Sequence, residues 1–339
     1  MKPEIQIASS ALFWIAVSAM AFLFSVILMP LIIKLNKKLD CFDVPNDRKI
    51  HKQKTATLGG IGIIISLLLT YTFLGKYNLS GYFWISLLLL TSAGIFDDIY
   101  GLSWNKKLLL QFIAATVFVS TGFNYTILFD NTIFSFIPVF MQPALIAIFI
   151  VLYINAFNLI DGMDGLAGGL ALINFLVFGT MNFYFGNYSM AWLCLVLSGA
   201  LFGFLVYNAH PAKIFMGDTG SMSIGFLLVM VSFYTFQYHY HIPELSLTSK
   251  QMFLWVIIGI LFLPFADASR VFIVRLLNGK LPYLPAKDHI HHILNRNGLS
   301  HRDTVLLLYG INLLFVLTGV IIYLNKPISL IVSVLLLKM

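Results

Sequence analysis

Two amides and two carboxylates lie within ten residues of an otherwise apolar part of the chain, in the sequence YINAFNLIDGMDGLAGG (residues 153–169). Asn155, Asn158, Asp161 and Asp164 recur every three residues, which places their side chains on nearby faces of a helical turn. Intervening glycines let the backbone bend or approach a ligand. Polar packing between membrane helices is the alternative. Because intramembrane carboxylates are costly without a function, the segment is predicted to be functional.

A second acidic pair, Asp97 and Asp98, ends an apolar run in the sequence AGIFDDIYGL. Adjacent carboxylates are costly to ionise together unless a cation or a proton intervenes. Lys107 follows shortly after the pair and is a candidate phosphate partner, although a lysine here also suits an anchor at the membrane surface. A solvated helix end is the alternative for the pair itself.

A glycine-rich turn, GDTG at residues 217–220, precedes another apolar run. Free N–H groups at such helix starts bind phosphate, and an aspartate beside them can hold Mg²⁺. Asp218 is therefore a candidate metal ligand, and a plain helix N-cap is the alternative.

Three histidines, His289, His291 and His292, lie close together in LPAKDHIHHILNRNGLSHRD (residues 284–303). Zinc binding by this cluster would need further ligands at zinc-site spacing, which the loop does not supply. Contacts from the imidazoles to a pyrophosphate fit the basic surroundings better. Solvated loop histidines are the alternative.

The composition defines the class of protein that holds these motifs. Of 339 residues, 59% are hydrophobic and 10% are charged, whereas soluble domains carry roughly 25% charged residues. Apolar runs predict an all-α polytopic membrane protein with about eleven transmembrane helices in one catalytic domain, residues 1–339. The runs begin near Ala11, Leu58, Gly81, Leu108, Pro143, Leu166, Ser189, Ser221, Met252, Val305 and Pro327. The polar stretch from Gly122 to Met141 is predicted to be an external loop.

The basic residues predict the orientation of these spans. Of the 21 Lys and Arg residues, 17 fall in the odd-numbered connections, so the N-terminus is expected outside and the C-terminus in the cytoplasm. This arrangement explains the net charge of +7 without nucleic-acid binding. Most acidic residues fall on the same side, which the orientation rule does not require. A cation-assisted reaction on an anionic substrate would explain them.

In order along the chain, Asp97-Asp98, NAFNLIDGMDG, GDTGS and DHIHH resemble the successive cytoplasmic motifs of the polyprenyl-phosphate N-acetylhexosamine-1-phosphate transferase superfamily. The resemblance runs from about Asp43 to Arg302. DHIHHIL followed by NGLSHR is more similar to the N-acetylglucosamine branch than to the phospho-N-acetylmuramoyl-pentapeptide branch. One departure lies in RKIHKQKTATLGG, where Lys54 and Ala56 replace the two prolines of the family pattern RKxHxxPxPxxGG.

The resemblance implies a role for each matching residue. Asn158 and Asp218 match the ligands of Mg²⁺, for which Mn²⁺ is a substitute. Asp161 and Asp164 match nucleotide and sugar contacts, and Asp161 is placed with the catalytic residues. Asp97 or Asp98 matches the residue that activates the lipid phosphate. The substrate-binding residues are completed by Lys107, Asn155, Asp164, His289, His291 and His292.

The implied substrates are a UDP-amino sugar and undecaprenyl phosphate in the bacterial inner membrane, with the active site facing the cytoplasm. A lipid-binding scaffold and a secondary transporter are rival functions. A transporter would bind ions near the midplane of repeated, broken helices. Here the acidic residues gather at one face and no repeat is visible. The sequence leaves the oligomeric state open, with a homodimer as one form.

The orientation can be checked by cysteine labelling in intact cells, with Cys41 and Cys194 replaced by Ser. An impermeant reagent should spare single cysteines beside Asp98, Lys213 and His291, because these positions are expected in the cytoplasm. Cysteines at Asn78 and Ser246 should react. The opposite labelling pattern would reverse the predicted topology.

Overall fold

The computed structural model describes residues 11–43, 54–75, 79–120, 123–130, 134–279 and 288–324. Eleven α-helices lie in these ranges, and eight are long and apolar enough to cross a membrane. They are α1 (Ala11–Leu39), α2 (Gly59–Leu74), α3 (Gly81–Tyr100), α4 (Trp104–Val119), α5 (Gln142–Ile160), α6 (Leu166–Tyr184), α7 (Tyr188–Asn208), α8 (Gly217–Tyr240), α9 (Leu247–Leu277), α10 (Ile290–Arg296) and α11 (His301–Leu324). The chain is a polytopic membrane protein, as its composition predicts.

A helix lies at each of the first ten predicted spans, but α2 and α4, with 16 residues each, are not among the eight helices long and apolar enough to cross a membrane. The eleventh predicted span, near Pro327, lies outside the described residues. Four helices begin four or five residues before the predicted start, because a polar first turn continues the helix beyond the apolar run: they begin at Trp104, Gly217, Leu247 and His301. The short helix α10 was not predicted. Two 3₁₀ helices, Tyr125–Leu128 and Val139–Met141, lie in the predicted external loop.

Helix α8 is the central element of the bundle. It packs against α2, α3, α5, α6, α7 and α9, and most of its side chains are buried. Two glycines let the neighbouring helices approach its first turn closely. A Cβ at Gly60 of α2 would overlap the main chain of Gly220, and one at Gly94 of α3 would overlap that of Thr219. Larger side chains here would push the polar ends of these helices apart.

The connection from α1 to α2 is attached to the segment that precedes α8. Strand β1 (Phe42–Asp43) pairs antiparallel with β2 (Thr55–Ala56). Ala56 then accepts the N–H of Phe215 at 2.7 Å, and Gly59 donates to the Phe215 carbonyl at 3.0 Å. These bonds hold the first polar loop beside the GDTG turn.

Two prolines interrupt long helices, and a neighbouring helix satisfies the carbonyl that each one leaves without its i→i−4 donor. In α1, Pro30 frees the carbonyl of Val26, which accepts the Tyr207 hydroxyl at 3.2 Å. In α9, Pro264 frees the carbonyl of Ile260, which accepts Nδ2 of Asn174 in α6 at 3.0 Å. Asn174 in turn accepts Nδ2 of Asn312 in α11 at 2.8 Å. Unsatisfied backbone groups are costly in a bilayer, so these polar side chains stabilise the interrupted helices.

Replacing Asn174 with Leu should destabilise the protein by ~1–3 kcal/mol, because a buried carbonyl loses its donor. The cost should shrink in a Pro264→Ala background, where the substitution would restore a main-chain N–H to the Ile260 carbonyl. Thermal unfolding in detergent of the two single variants and the double variant measures this coupling. Tyr207→Phe, at the other proline, is the control, and its stability cost should be the same with and without Pro264→Ala. Equal costs of Asn174→Leu in both backgrounds would contradict the assignment.

Candidate active site

The predicted polar motifs meet at one end of the helix bundle. Asp97 and Asp98 lie in the last turn of α3, and Lys107 lies in the first turn of α4. Asn158 lies in the last turn of α5, and Asp218 lies in the first turn of α8. Helix ends of opposite polarity therefore converge, and they bring together residues that are more than a hundred positions apart in the chain.

The carboxylate of Asp98 caps the N-terminus of α8 from the neighbouring helix. Its Oδ1 accepts the N–H of Asp218 at 2.8 Å. Its Oδ2 accepts the N–H of Thr219 at 3.0 Å and the Thr219 hydroxyl at 2.6 Å. The first N–H groups of a helix have no partner within the helix and carry the positive end of its dipole, so a carboxylate stabilises them. Asp98 thereby fixes the position of Asp218.

Lys107 joins the other member of the pair to Asp218. Its Nζ lies 2.8 Å from Oδ2 of Asp97 and 2.6 Å from Oδ1 of Asp218. Asn158 donates from Nδ2 to the same Asp218 oxygen and to the hydroxyl of Ser221 at 2.7 Å. Asp97, Lys107, Asp218 and Asn158 form what we call the charged network, which ties the ends of α3, α4, α5 and α8 together.

A cavity of about 380 Å³ opens beside the charged network. Its lining comprises Asp43, Thr57, Asp98, Asn158, Asp161, Gly162, Met163, Asp164, Phe215, Gly217, Asp218, His292 and His301. Five of these thirteen residues are aspartates and none is Lys or Arg. The wall is therefore suited to a cation, or to an anionic ligand that arrives with one.

Asp161 shows the electrostatic consequence of this arrangement. Burial, followed by the negative charges of Asp218 and Asp98, raises the pKa of Asp161 to about 7. The protonated form of this carboxyl group is therefore favoured more strongly than in an exposed aspartate. A divalent cation in the cavity would favour its ionised form.

Asn155 has a different environment from the three polar residues that follow it. Its Nδ2 donates to Oε1 of Gln111 in α4 at 2.6 Å and to the carbonyl of Val151 at 2.7 Å. It is not among the described residues that line the cavity. These contacts link α5 to α4 one helical turn deeper than Asn158.

The first histidine of the cluster is anchored to an aspartate of α9. Asp267, 5% exposed, accepts Nδ1 of His289 at 2.8 Å and the N–H of Ile290 at 2.9 Å. Arg270 donates to Asp267 at 2.9 Å and also to the carbonyl of Asp288. Asp267 therefore holds the N-terminus of α10, and with it the positions of the two following histidines.

His291 and His292 lie on α10 near the cavity. His292 lines it, whereas His291 is 1% exposed and packs against Gly162, where a Cβ would overlap its ring. Burial and the neighbouring His292 lower the pKa of His291 to about 3, so its ring is neutral at pH 7. Neither ring nitrogen has a hydrogen-bond partner among the described residues.

Asp164 forms a separate cluster with two histidines that the sequence did not single out. Its Oδ2 accepts the N–H of Ala212 at 3.1 Å and lies 2.8 Å from Nδ1 of His210. Its main-chain carbonyl lies 3.2 Å from Nε2 of His301. The His210 and His301 rings stack with centroids 4.2 Å apart.

Sequence reasoning missed Asp267, His210 and His301 as members of the site. His210 and His301 stand within the quoted segments NAHPAKIFMGDTGS and NGLSHR, but each is a single histidine without a local partner. Only their shared contact with Asp164 distinguishes them from ordinary surface histidines.

The chain is similar to bacterial enzymes over most of its length. A probable undecaprenyl-phosphate N-acetylglucosaminyl 1-phosphate transferase of Bacillus subtilis (strain 168) is 34% identical over 303 residues, covering 87% of this chain and 81% of that protein. A decaprenyl-phosphate N-acetylglucosaminephosphotransferase of Mycobacterium leprae (strain TN) is 30% identical, covering 81% and 75%. A phospho-N-acetylmuramoyl-pentapeptide-transferase of Geobacillus thermodenitrificans (strain NG80-2) is also 30% identical, covering 90% and 96%.

Long apolar helices with an acidic cavity at one end of the bundle define a multi-pass membrane protein with a polar site near one membrane face. Residues 80–236 match the model of glycosyl transferase family 4. The chain belongs to this family, the polyprenyl-phosphate N-acetylhexosamine-1-phosphate transferases, and is a glycosyl-1-phosphate transferase. The family predicted from the four motifs is thereby confirmed.

Family membership implies a divalent metal ion, and the residues at the cavity fit one. Asn158, Asp161 and Asp218 present side-chain oxygens on its wall, the ligand type that Mg²⁺ prefers. Asn158 uses only its amide nitrogen in its two hydrogen bonds, so its amide oxygen remains available. Burial, followed by the negative charges of Asp218 and Asp98, raises the pKa of Asp161, and a cation at this wall would oppose that shift.

Replacing Asp267 with Asn should loosen α10. The loss of a charged acceptor costs about 1.5–3 kcal/mol per hydrogen bond, so amide hydrogen exchange across Ile290–Arg296 should accelerate about tenfold or more. Exchange in α8 should not change, because Asp98 caps that helix independently. Asp303→Asn, an exposed acid in the first turn of α11, is the control. Unchanged exchange in α10 would show that Asp267 is not its anchor.

The Asp161→Asn variant should alter how stability depends on pH. The folded pKa of Asp161, about 7, exceeds the usual value of about 3.9 for an unfolded chain. The contribution of Asp161 to the free energy of unfolding is therefore fully present below the unfolded pKa and is lost as pH rises through the folded pKa. In EDTA, Asp161→Asn should melt above the wild type at pH 8, with a smaller difference at pH 5. A difference in melting temperature that does not change with pH would contradict the shifted pKa. Added Mg²⁺ should reduce the difference in melting temperature at pH 8.

Proposed function

We propose that the protein transfers N-acetylglucosamine 1-phosphate from UDP-N-acetylglucosamine to undecaprenyl phosphate, releasing UMP and starting a lipid-linked cell-envelope glycan. The observation that carries this proposal is the charged network beside the acidic cavity, because it gathers a lysine and oxygen ligands where two anionic substrates must meet. The N-acetylglucosamine transferases among the relatives support the choice of sugar.

In the proposed reaction an oxygen of the lipid phosphate attacks the β-phosphorus of the UDP-sugar. The bond from that phosphorus to the oxygen shared with the α-phosphate breaks, and UMP leaves. Phosphoryl transfer depends mainly on positioning and charge neutralisation. A phosphate monoester has a second pKa near 6, so the lipid phosphate is largely ionised at pH 7 and needs little help from a general base.

The contacts suggest how the residues divide this work. Lys107 would offset the charge of the lipid phosphate, with Asp97 holding its ammonium group in place. Asp98 would act by fixing the first turn of α8. Asn158 and Asp218 would hold Mg²⁺, or Mn²⁺ in its place, which would neutralise the pyrophosphate when bound.

The remaining predicted residues would contact the UDP-sugar. Asp161 would contact the UDP-sugar from the cavity wall, where a bound cation would favour its ionised form. Asp164 and His292 line the same cavity, and His291 has two ring nitrogens without a partner among the described residues. His289 would serve by holding α10 through its contact with Asp267.

We place the cavity on the cytoplasmic side of a bacterial inner membrane. The 17-to-4 distribution of basic residues supports this orientation, as does the nucleotide sugar, a cytosolic metabolite. Large apolar side chains are exposed along the outer faces of α1 and α11, such as Leu12, Ile15 and Leu314. Acyl chains would cover these faces, and the isoprenoid tail would run in the same layer while its phosphate reaches the charged network.

A second candidate is transfer of phospho-N-acetylmuramoyl-pentapeptide. The Geobacillus relative with that name covers 90% of the chain and supports it. A panel of UDP-sugars with purified protein and undecaprenyl phosphate separates the two. UMP release with UDP-N-acetylglucosamine alone supports our proposal, and release only with the muramoyl-pentapeptide nucleotide overturns it. A transporter would release no UMP in detergent.

Asp218→Asn should lower UMP release about 100-fold or more, because the variant loses a charged ligand for the Mg²⁺ that would neutralise the pyrophosphate. Asp40→Asn, an exposed acid after α1, is the control and should keep the wild-type rate. Both proteins should unfold near the wild-type temperature. Near-normal turnover of Asp218→Asn at saturating Mg²⁺ would remove Asp218 from the proposed metal site.

A further inference from the structure

The cluster of Asp164, His210 and His301 has the composition of a transition-metal site. Each residue offers one ligand atom, and these atoms lie within 4.8 Å of one another. In the part of the chain that the structure describes, this is the one group of His, Cys, Asp or Glu residues found with such geometry. The three residues come from the α5–α6 connection, the α7–α8 connection and the start of α11.

The ligand types distinguish this cluster from the oxygen-rich wall of the charged network. Imidazole nitrogens favour Zn²⁺ and related ions, whereas Mg²⁺ prefers oxygen ligands. Two imidazoles and one carboxylate are a set of three protein ligands that binds zinc in catalytic sites, where a fourth position stays open. Asp164 and His301 both line the cavity, so the open position would face it.

The present contacts are those expected of the three ligands without an ion. Oδ2 of Asp164 and Nδ1 of His210 are joined by a hydrogen bond of 2.8 Å, and a cation would take the place of its proton. The side chain of His210 is 54% exposed, so its ring has room on the solvent side to turn towards an ion and give up its stacking on His301. Asp164 is held by the N–H of Ala212 at 3.1 Å and is 8% exposed, so it provides a fixed anchor.

We propose that Asp164, His210 and His301 form a binding site for Zn²⁺ at the rim of the transfer cavity, separate from the proposed Mg²⁺ ligands Asn158 and Asp218. The site shares Asp164 with the proposed UDP-sugar contacts, but zinc binding to it does not depend on sugar transfer. It holds the ion through one carboxylate and two imidazoles, and it leaves a coordination position for water or an oxygen of a ligand in the cavity.

The test is calorimetric titration of the detergent-purified full-length protein with Zn²⁺ in excess Mg²⁺ and without substrates. The wild type should bind one zinc ion per chain at this site. Removing one ligand should weaken binding about tenfold or more, since even the partners of zinc ligands contribute that much. His210→Ala and His301→Gln should both show this loss. His241→Ala, an exposed histidine in a different connection, is the control and should bind as the wild type does.

His292→Ala separates this site from the histidine cluster on α10. If zinc affinity falls in His292→Ala while His210→Ala binds normally, the loop histidines hold the ion and the proposal is wrong. Absence of zinc binding to the wild type, or equal affinity in the wild type, His210→Ala and His301→Gln, also overturns it. Should His210→Ala fail to fold, His210→Gln keeps a polar side chain beside Asp164 and should show the same loss. Because no substrate is present, the outcome is independent of the UDP-sugar assay.

Discussion

The arrangement of the site depends on one interaction, the capping of α8 by the carboxylate of Asp98. A helix that begins inside a membrane protein needs partners for its first N–H groups, because lipid supplies none. Asp98 provides them only because Gly94 lets α3 approach the main chain of α8 at Thr219. Once this turn is held, Asp218 lies within reach of Lys107 and Asn158. The charged side chains can therefore meet only because a glycine lets the two helices pack closely.

The charged network shows how a membrane protein keeps several carboxylates at one place. Asp98 accepts hydrogen bonds from a helix N-terminus, and Asp97 and Asp218 share one ammonium group. Asp161 lies close to these carboxylates, and burial together with the negative charges of Asp218 and Asp98 raises its pKa to about 7. Asp161 lies on the cavity wall, where a cation and an anionic substrate are expected to bind. The electrostatic cost in the ligand-free protein is thus concentrated at the site that ligands would relieve.

Polar side chains also satisfy buried groups away from the cavity. Pro264 interrupts α9, and Asn174 satisfies the carbonyl that this proline frees. The helix then continues to Asp267, which anchors α10 and its histidines. Helix α9 therefore carries both the proline in the middle of the bundle and the aspartate that positions the histidine loop. Asn174 and Asn312 connect the interrupted part of α9 to α6 and α11.

The class of protein, the approximate positions of its helices, the four polar motifs and the family follow from the sequence alone, because run length, residue type and short spacings are local properties. Local patterns do not show which partner each side chain finds. The tertiary structure separated the roles of Asp97 and Asp98, placed Asn155 against Gln111 outside the cavity, and bound His289 to Asp267. It also brought His210 and His301 to Asp164 from 46 and 137 positions away. Contacts over such separations depend on how the helices pack, and side-chain identity within a single segment carries no record of that packing.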